Sequence, residues 1–139
     1  MYSDLPKTIS VLYRKMCVSL NERFAAIGIS TSKAMFLICL SRHGTLSQSE
    51  LCKKLDMDKA AVAKAVAGLE KDGYITKRTN PDDVRAFLVG LTGKASRLIP
   101  KIEEIHNAWG AELTADMTDK EKDSFVSLLQ TAAERVSHI

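Results

Sequence analysis

Five cations define the chemistry open to this chain. Lys59 and Lys64 stand in an alanine-rich run, KAAVAKAVAGLEK, and Lys77, Arg78 and Arg85 follow among strand-forming residues. Cations spread along a helix and then a hairpin suit an extended polyanion, because each can meet a different phosphate. On a 3.6-residue wheel Val62, Val66 and Leu69 fall within about 60° of one another and face a core. The opposite side carries Ala60, Ala63, Lys64 and Ala67, with Lys59 and Lys71 nearer its edges. Side chains this small let a helix press into a groove and touch base edges and thymine methyls. Alanine also favours helix on any solvent-facing surface. The alanine face taken alone therefore fits both a reading surface and an ordinary one.

Other chemistries find little support. There is no G-x-S-x-G, P-loop or H-E-x-x-H motif and no acid/base cluster, so an enzyme is not expected. Cys17, Cys39 and Cys52 form no C-x-x-C pair, and an odd number cannot all pair within one chain; reduced thiols in a reducing compartment fit best. His43, His106 and His138 are far apart in sequence, and neither a metal nor a cofactor is expected. His43, at a helix end, suits the helix dipole. No apolar run approaches the ~20 residues of a membrane span. The opening residues, MYSDLPKTIS, lack the basic and apolar regions of a secretory signal, so a cytoplasmic location is expected. Residues 1–49 carry six basic and two acidic groups, residues 50–94 nine and seven, and residues 95–139 five and eight. The front two thirds are thus +6 and the last third −3, which favours a polyanion partner at the front.

The elements that would position these cations can be read from caps and periodicity. Ser3 or Asp4 caps a first helix with Pro6 in its first turn, and Leu5, Ile9, Leu12, Met16, Leu20, Phe24 and Ile27 form its stripe up to Gly28. So long an early helix has little of its own domain to pack on, and a partner subunit is the natural cover. Ser30 or Thr31 caps a second helix to about Arg42, apolar almost all round and therefore buried. Thr45-Leu46 is at most a short edge strand. Ser47 and Glu50 make a capping box for a third helix. Asp56-Met57-Asp58 is a turn, and Asp58 caps a fourth helix, Lys59 to about Asp72, ended by Gly73. Two short helices across such a turn are a helix-turn-helix. Tyr74–Arg78 and Arg85–Leu91 read as strands joined by Asn80-Pro81-Asp82-Asp83, a wing with Arg85 at its base. Asp83 would hold the Arg85 guanidinium in a bidentate pair. Thr92 caps a long helix with a stripe of Leu98, Ile102, Ile105, Trp109 and Leu113. Pro100 should bend it, because the Ser96 carbonyl loses its amide partner. Thr118 and Glu121 box a last helix with Phe125, Leu128, Leu129, Ala132 and Val136 on one face.

The fold class is therefore mainly α with a small β wing: a winged helix-turn-helix lobe plus a helical dimerisation region. Gly28-Ile29-Ser30, Leu46-Ser47-Gln48-Ser49-Glu50-Leu51, the run Leu69-Glu70-Lys71-Asp72-Gly73-Tyr74-Ile75-Thr76-Lys77-Arg78, Asp83-x-Arg85 and Leu91-Thr92 occur in order over nearly the whole length. In these residues the chain resembles the multiple-antibiotic-resistance regulators, the MarR family. The resemblance implies a single domain, 1–139, with dimerisation helices at 1–28 and 92–139 around a DNA-binding lobe at 29–91. It implies a homodimer on double-stranded DNA, repressing transcription and released by a small aromatic or phenolic effector. The helix from Lys59 would be the recognition helix, and Arg85 would enter the minor groove. Family recognition helices often open with hydroxyl residues and carry arginine where Lys64 stands; here Ala60, Ala61 and Ala63 replace the hydroxyls, so the base code does not transfer. The expected DNA-binding residues are Ser47, Gln48, Lys59, Ala60, Ala63, Lys64, Lys77, Arg78, Asp83 and Arg85.

Two further readings stay open at the level of sequence. The alanine-rich face also suits a winged-helix protein-interaction module that does not bind DNA. Some relatives sense peroxides through an N-terminal cysteine, which makes Cys17 the redox candidate, with Arg14 and Lys15 near it in sequence; a buried, inert thiol is the commoner case. For an effector pocket, Tyr13, Met35, Phe36 and Trp109 are candidates and equally core residues.

Overall fold

The computed structural model describes residues 1–137; His138 lies outside the described residues. Six helices and three strands follow in order: α1 Leu5–Ala25, α2 Thr31–His43, β1 Leu46–Ser47, α3 Gln48–Leu55, α4 Lys59–Lys71, β2 Ile75–Asn80, β3 Asp83–Leu91, α5 Gly93–Leu113 and α6 Asp119–Val136. The chain is mostly helical with one small antiparallel sheet of order β1-β3-β2.

Local chemistry explains most boundaries. Ser30 Oγ accepts the Lys33 amide at the start of α2, and the Asp58 carboxylate accepts the Ala61 amide at the start of α4. Both expected capping boxes form, Ser47 with Glu50 on α3 and Thr118 with Glu121 on α6. Each satisfies two amides that the first helical turn would otherwise leave unpaired. The first helix differs from expectation. Asp4 is its N-cap but in a helical conformation, without a side-chain bond to the helix; its carbonyl instead accepts the Thr8 hydroxyl at 3.0 Å. At the other end the helix loosens over Ala26 and Ile27 before Gly28, at φ +76°, turns the chain.

One core joins the elements. Leu20 and Phe24 of α1, Phe36, Leu37 and Leu40 of α2, Leu51 of α3, Val62, Val66 and Leu69 of α4, Val89 of β3 and Ile102 of α5 are all buried within it. The joint between wing and α5 is hydrogen-bonded at close quarters. Gly73 adopts φ +80°, the Thr92 amide donates to the Tyr74 carbonyl at 3.1 Å, and the Thr92 hydroxyl donates to the Gly73 carbonyl at 2.7 Å. Lys94 Nζ donates to the Asp72 carbonyl at 2.7 Å and lies 4.5 Å from the Tyr74 ring centroid. Lys33 of α2 closes the same corner through its ion pair with Asp72. α5 continues as one helix through Pro100.

α6 is the exception to this packing: among its described residues none is buried. Leu128 is 67% exposed, Leu129 53% and Val136 65%, and on α1 Leu5 is 50% and Ile9 55% exposed. These are stripe positions, so their apolar face is formed but uncovered in a single chain.

Candidate nucleic-acid interface

The helix-turn-helix sets two helix N-termini side by side. α3 and α4 are held across Asp56-Met57-Asp58, where Asp56 takes a left-handed conformation at φ 51° and the Met57 amide bonds the Cys52 carbonyl. Aspartate tolerates that region better than most residues, because its short side chain can bond locally. With Val62, Val66 and Leu69 fully buried, Ala60, Ala63, Lys64 and Ala67 are left exposed along the outer face of α4. Lys59 is exposed at its first turn.

The wing approaches the same place. β2 and β3 pair in regular register from Ile75–Leu91 to Thr79–Phe87, and then Asn80 pairs with Asp83. That jump leaves residues 84–86 bulged out of the ladder. Two side-chain-to-backbone bonds shape the tip: Asn80 Oδ1 accepts the Asp82 amide and Asp83 Oδ1 accepts the Arg85 amide, both at 3.0 Å. The sequence pointed to a carboxylate–guanidinium pair between Asp83 and Arg85. The bond that the structure shows is to the backbone instead: an Asx turn two residues long reaches the amide before the side chain can fold back.

The bulge carries Arg85 to a cleft of about 400 Å³ between wing and helix-turn-helix, lined by Ser47, Gln48, Lys59, Asp83 and Arg85 together with Ser49, Glu50, Asn80, Ala86 and Phe87. Five expected residues thus meet in one place, flanked by the exposed α4 face. Ser49, Asn80 and Phe87 were not picked out from sequence. Ser49 read only as part of a helix start and Asn80 only as a turn residue. Phe87 read as a strand residue, yet it is 48% exposed.

Two expected residues do not join them. Lys77 lies opposite buried Val89, on the inner side of the sheet; its Nζ is 3.8 Å from Glu70 and 6.0 Å from the Phe87 ring centroid. Arg78, one residue on, faces the other way and lines a small cleft with Thr45, Thr76 and Gly90. Strand alternation alone separates them.

Cys17 is partly buried on α1, and the Arg14 guanidinium turns to Ser10 Oγ. The neighbouring Tyr13 phenol is held above its ordinary range, first by hydrogen bonding with Cys17 and then by charge. Of the candidate effector residues, Phe36 is core and Tyr13 is exposed on α1, while Trp109 packs half-buried against the core. Met35 lines a cleft of about 300 Å³ between α2, α3 and α5. Among the described residues no three His, Cys, Asp or Glu side chains come together as a metal site, and no helix is long and apolar enough to cross a membrane.

Comparison with known proteins agrees with this geometry. The model of the MarR family matches residues 29–87, the helix-turn-helix and most of the wing. The uncharacterized HTH-type transcriptional regulator YdgJ of Bacillus subtilis is 30% identical over 115 residues, covering 83% of this chain and 70% of that protein. A MarR transcriptional regulator from Methanosarcina mazei superposes with a TM-score of 0.86 at 28% identity, over 94% of each chain. A mutant MarR from Escherichia coli, crystallised with operator DNA, shares the fold at a TM-score of 0.85 and 24% identity, over 94% of each chain. Fold, motif order and relatives converge, and the chain belongs to the MarR family of transcriptional regulators.

Proposed function

We propose that this chain acts as a homodimeric, sequence-specific repressor, in which α1, α5 and α6 (within 1–28 and 92–139) join two copies of the lobe at 29–91. The observation that carries the reading is the meeting of Arg85, Lys59, Ser47 and Gln48 in one cleft beside the exposed face of α4. In it α4 enters the major groove, where Lys64 and the methyls of Ala60 and Ala63 meet base edges. Gln48, Ser47 and Lys59 hold the flanking phosphates, and the wing carries Arg85 to the minor groove. Lys77 and Arg78, on opposite faces of β2, are left with phosphate contacts at most. The same fold crystallised on operator DNA supports the docking. The uncovered stripes of α1 and α6 support the dimer.

Release by a small aromatic or phenolic effector is part of the proposal. Its support is the cleft between α2, α3 and α5, at the junction of lobe and dimerisation helices. A ligand bound there more tightly in one arrangement of the lobes would shift the dimer away from the half-site spacing that DNA requires.

Fluorescence anisotropy against the DNA upstream of its own gene, and against scrambled DNA, tests the reading across a salt series. Tight binding to the first alone is expected, with log K falling against log salt at a slope of roughly −5 to −9 for ~6–10 phosphate contacts. Weak, equal and salt-insensitive binding to both would favour a protein-interaction module, which the alanine-lined α4 also suits.

A further inference from the structure

The cleft where α5 meets the winged lobe is lined by basic side chains and apolar ones. Arg42 and His43 enter it from the end of α2, Lys54 from α3 and His106 from α5, while Met35, Ile38, Cys39 and Leu55 complete the lining. No carboxylate is among these residues. His106 is half-buried and stands edge-on to Phe24 of α1, with ring centroids 5.3 Å apart and 83° between the planes. α1 therefore offers His106 an aromatic ring rather than a counter-charge. On α5 itself, Glu103 one turn earlier is exposed, and Glu112 is engaged by Arg23 of α1 at 2.6 Å. Burial pushes the His106 pKa below its ordinary value of 6.5, and the Arg42 charge pushes it the same way.

We propose that His106 is a proton-sensitive wedge at this junction. Neutral, it packs α5 onto α1 and α2; protonated, it becomes a further cation facing Arg42 and Lys54 and loosens the seat of the winged lobe on α5. The charge has no partner in the cleft, and half-burial weakens the screening that water would supply. α5 also begins at the wing, through the Thr92 and Lys94 bonds to Gly73 and Asp72. A shift of α5 against α2 therefore moves α4 and the wing together.

The sign follows from linkage. A histidine that is harder to protonate when folded adds stability that is whole above pH 6.5 and is lost as pH falls from there through the folded pKa. The test is thermal unfolding of the intact protein from about pH 7.5 to about pH 5.5 at constant ionic strength, for the wild type and His106→Gln. An NMR titration of the His106 imidazole in the wild type accompanies it. The wild-type midpoint should fall across this window, the variant's should be markedly flatter, and His106 should titrate below 6.5. Equal pH dependence in both proteins, or titration of His106 at or above its ordinary value, overturns the proposal. If His106→Gln does not fold, His106→Phe keeps a ring against Phe24 without a proton to gain, and the NMR arm needs no variant. A third arm follows DNA affinity over the same pH range and rests on the DNA-binding reading above. A several-fold greater loss in the wild type than in the variant is expected. Absence of DNA binding at every pH would overturn that reading and leave the wedge to be decided by the first two arms.

Discussion

Arg85 and Asp83 show how much two residues of a wing can divide between them. Arg85 supplies the charge that reaches the cleft, and Asp83 supplies only an acceptor, 3.0 Å from the Arg85 amide. Asp83→Asn retains an oxygen for that bond and loses the charge, whereas Asp83→Ala loses both. Operator affinity should therefore survive Asp83→Asn nearly intact and fall with Asp83→Ala; equal losses would restore the side-chain ion pair. Arg85→Ala should weaken operator binding by about 1–3 kcal/mol while gel filtration still shows the dimer. An unchanged affinity would remove Arg85 from the interface. Sequence placed both residues at the wing because Asn-Pro-Asp-Asp is turn chemistry. It did not show the bulge at 84–86, and without the bulge neither the cleft nor the part played by Phe87 could be foreseen. His106 was equally hidden: it lies 82 positions along the chain from Phe24, the ring it meets, and no periodicity records such a meeting.

At the scale of elements, the boundaries that sequence located well are those governed by bonds three residues apart. Ser47–Glu50 and Thr118–Glu121 declare helix starts because both partners are visible in four residues. Gly28, Gly44 and Gly73 declare ends because each takes a positive φ, where a Cβ would be strained. The joints between elements were not legible, since Lys33–Asp72 and Arg23–Glu112 span 39 and 89 positions. Thr92 belongs to both groups. Its hydroxyl accepts the Ala95 amide at 3.3 Å, as expected of a cap, and donates to the Gly73 carbonyl at 2.7 Å, which the sequence did not suggest. Thr92→Val keeps the shape and loses both hydroxyl bonds, at about 1–2 kcal/mol of stability, and leaves the Thr92 amide bond to the Tyr74 carbonyl as its remaining tie to the turn after α4. Urea denaturation should show the loss. If stability is unchanged, water replaces both bonds and the joint is less rigid than its geometry implies.

For the molecule as a whole, the distribution of apolar surface is the strongest constraint. The winged lobe closes a core together with α1 and α5, where Leu51, Val62, Val66, Leu69 and Val89 are fully buried beside Phe24 and Ile102, but α6 buries nothing among its described residues. A helix with Leu128, Leu129 and Val136 on one face is not stabilised by solvent. Burying each such side chain fully is worth about 1.5–3 kcal/mol, and the exposed Leu5 and Ile9 of α1 stand to gain in the same way. The single chain leaves that stabilisation unused, and a second copy presenting the same stripes can recover it through a two-fold interface. α5 and α6 also carry the acidic third of the chain, so in the proposed complex their polar faces would repel a polyanion and leave the basic lobe as the surface that meets it. Leu128→Asp places a charge in the middle of the exposed stripe. In an interface that charge would lie buried without a partner, a cost of several kcal/mol; on a solvated helix it would cost almost nothing. Light scattering should accordingly find the variant monomeric at concentrations where the wild type is dimeric, with its helical content largely kept. Operator affinity should fall steeply as well, because a lone lobe gives up the second half-site. A dimer unaffected by Leu128→Asp would mean that α6 lies outside the interface and that α1 and α5 hold the two copies together.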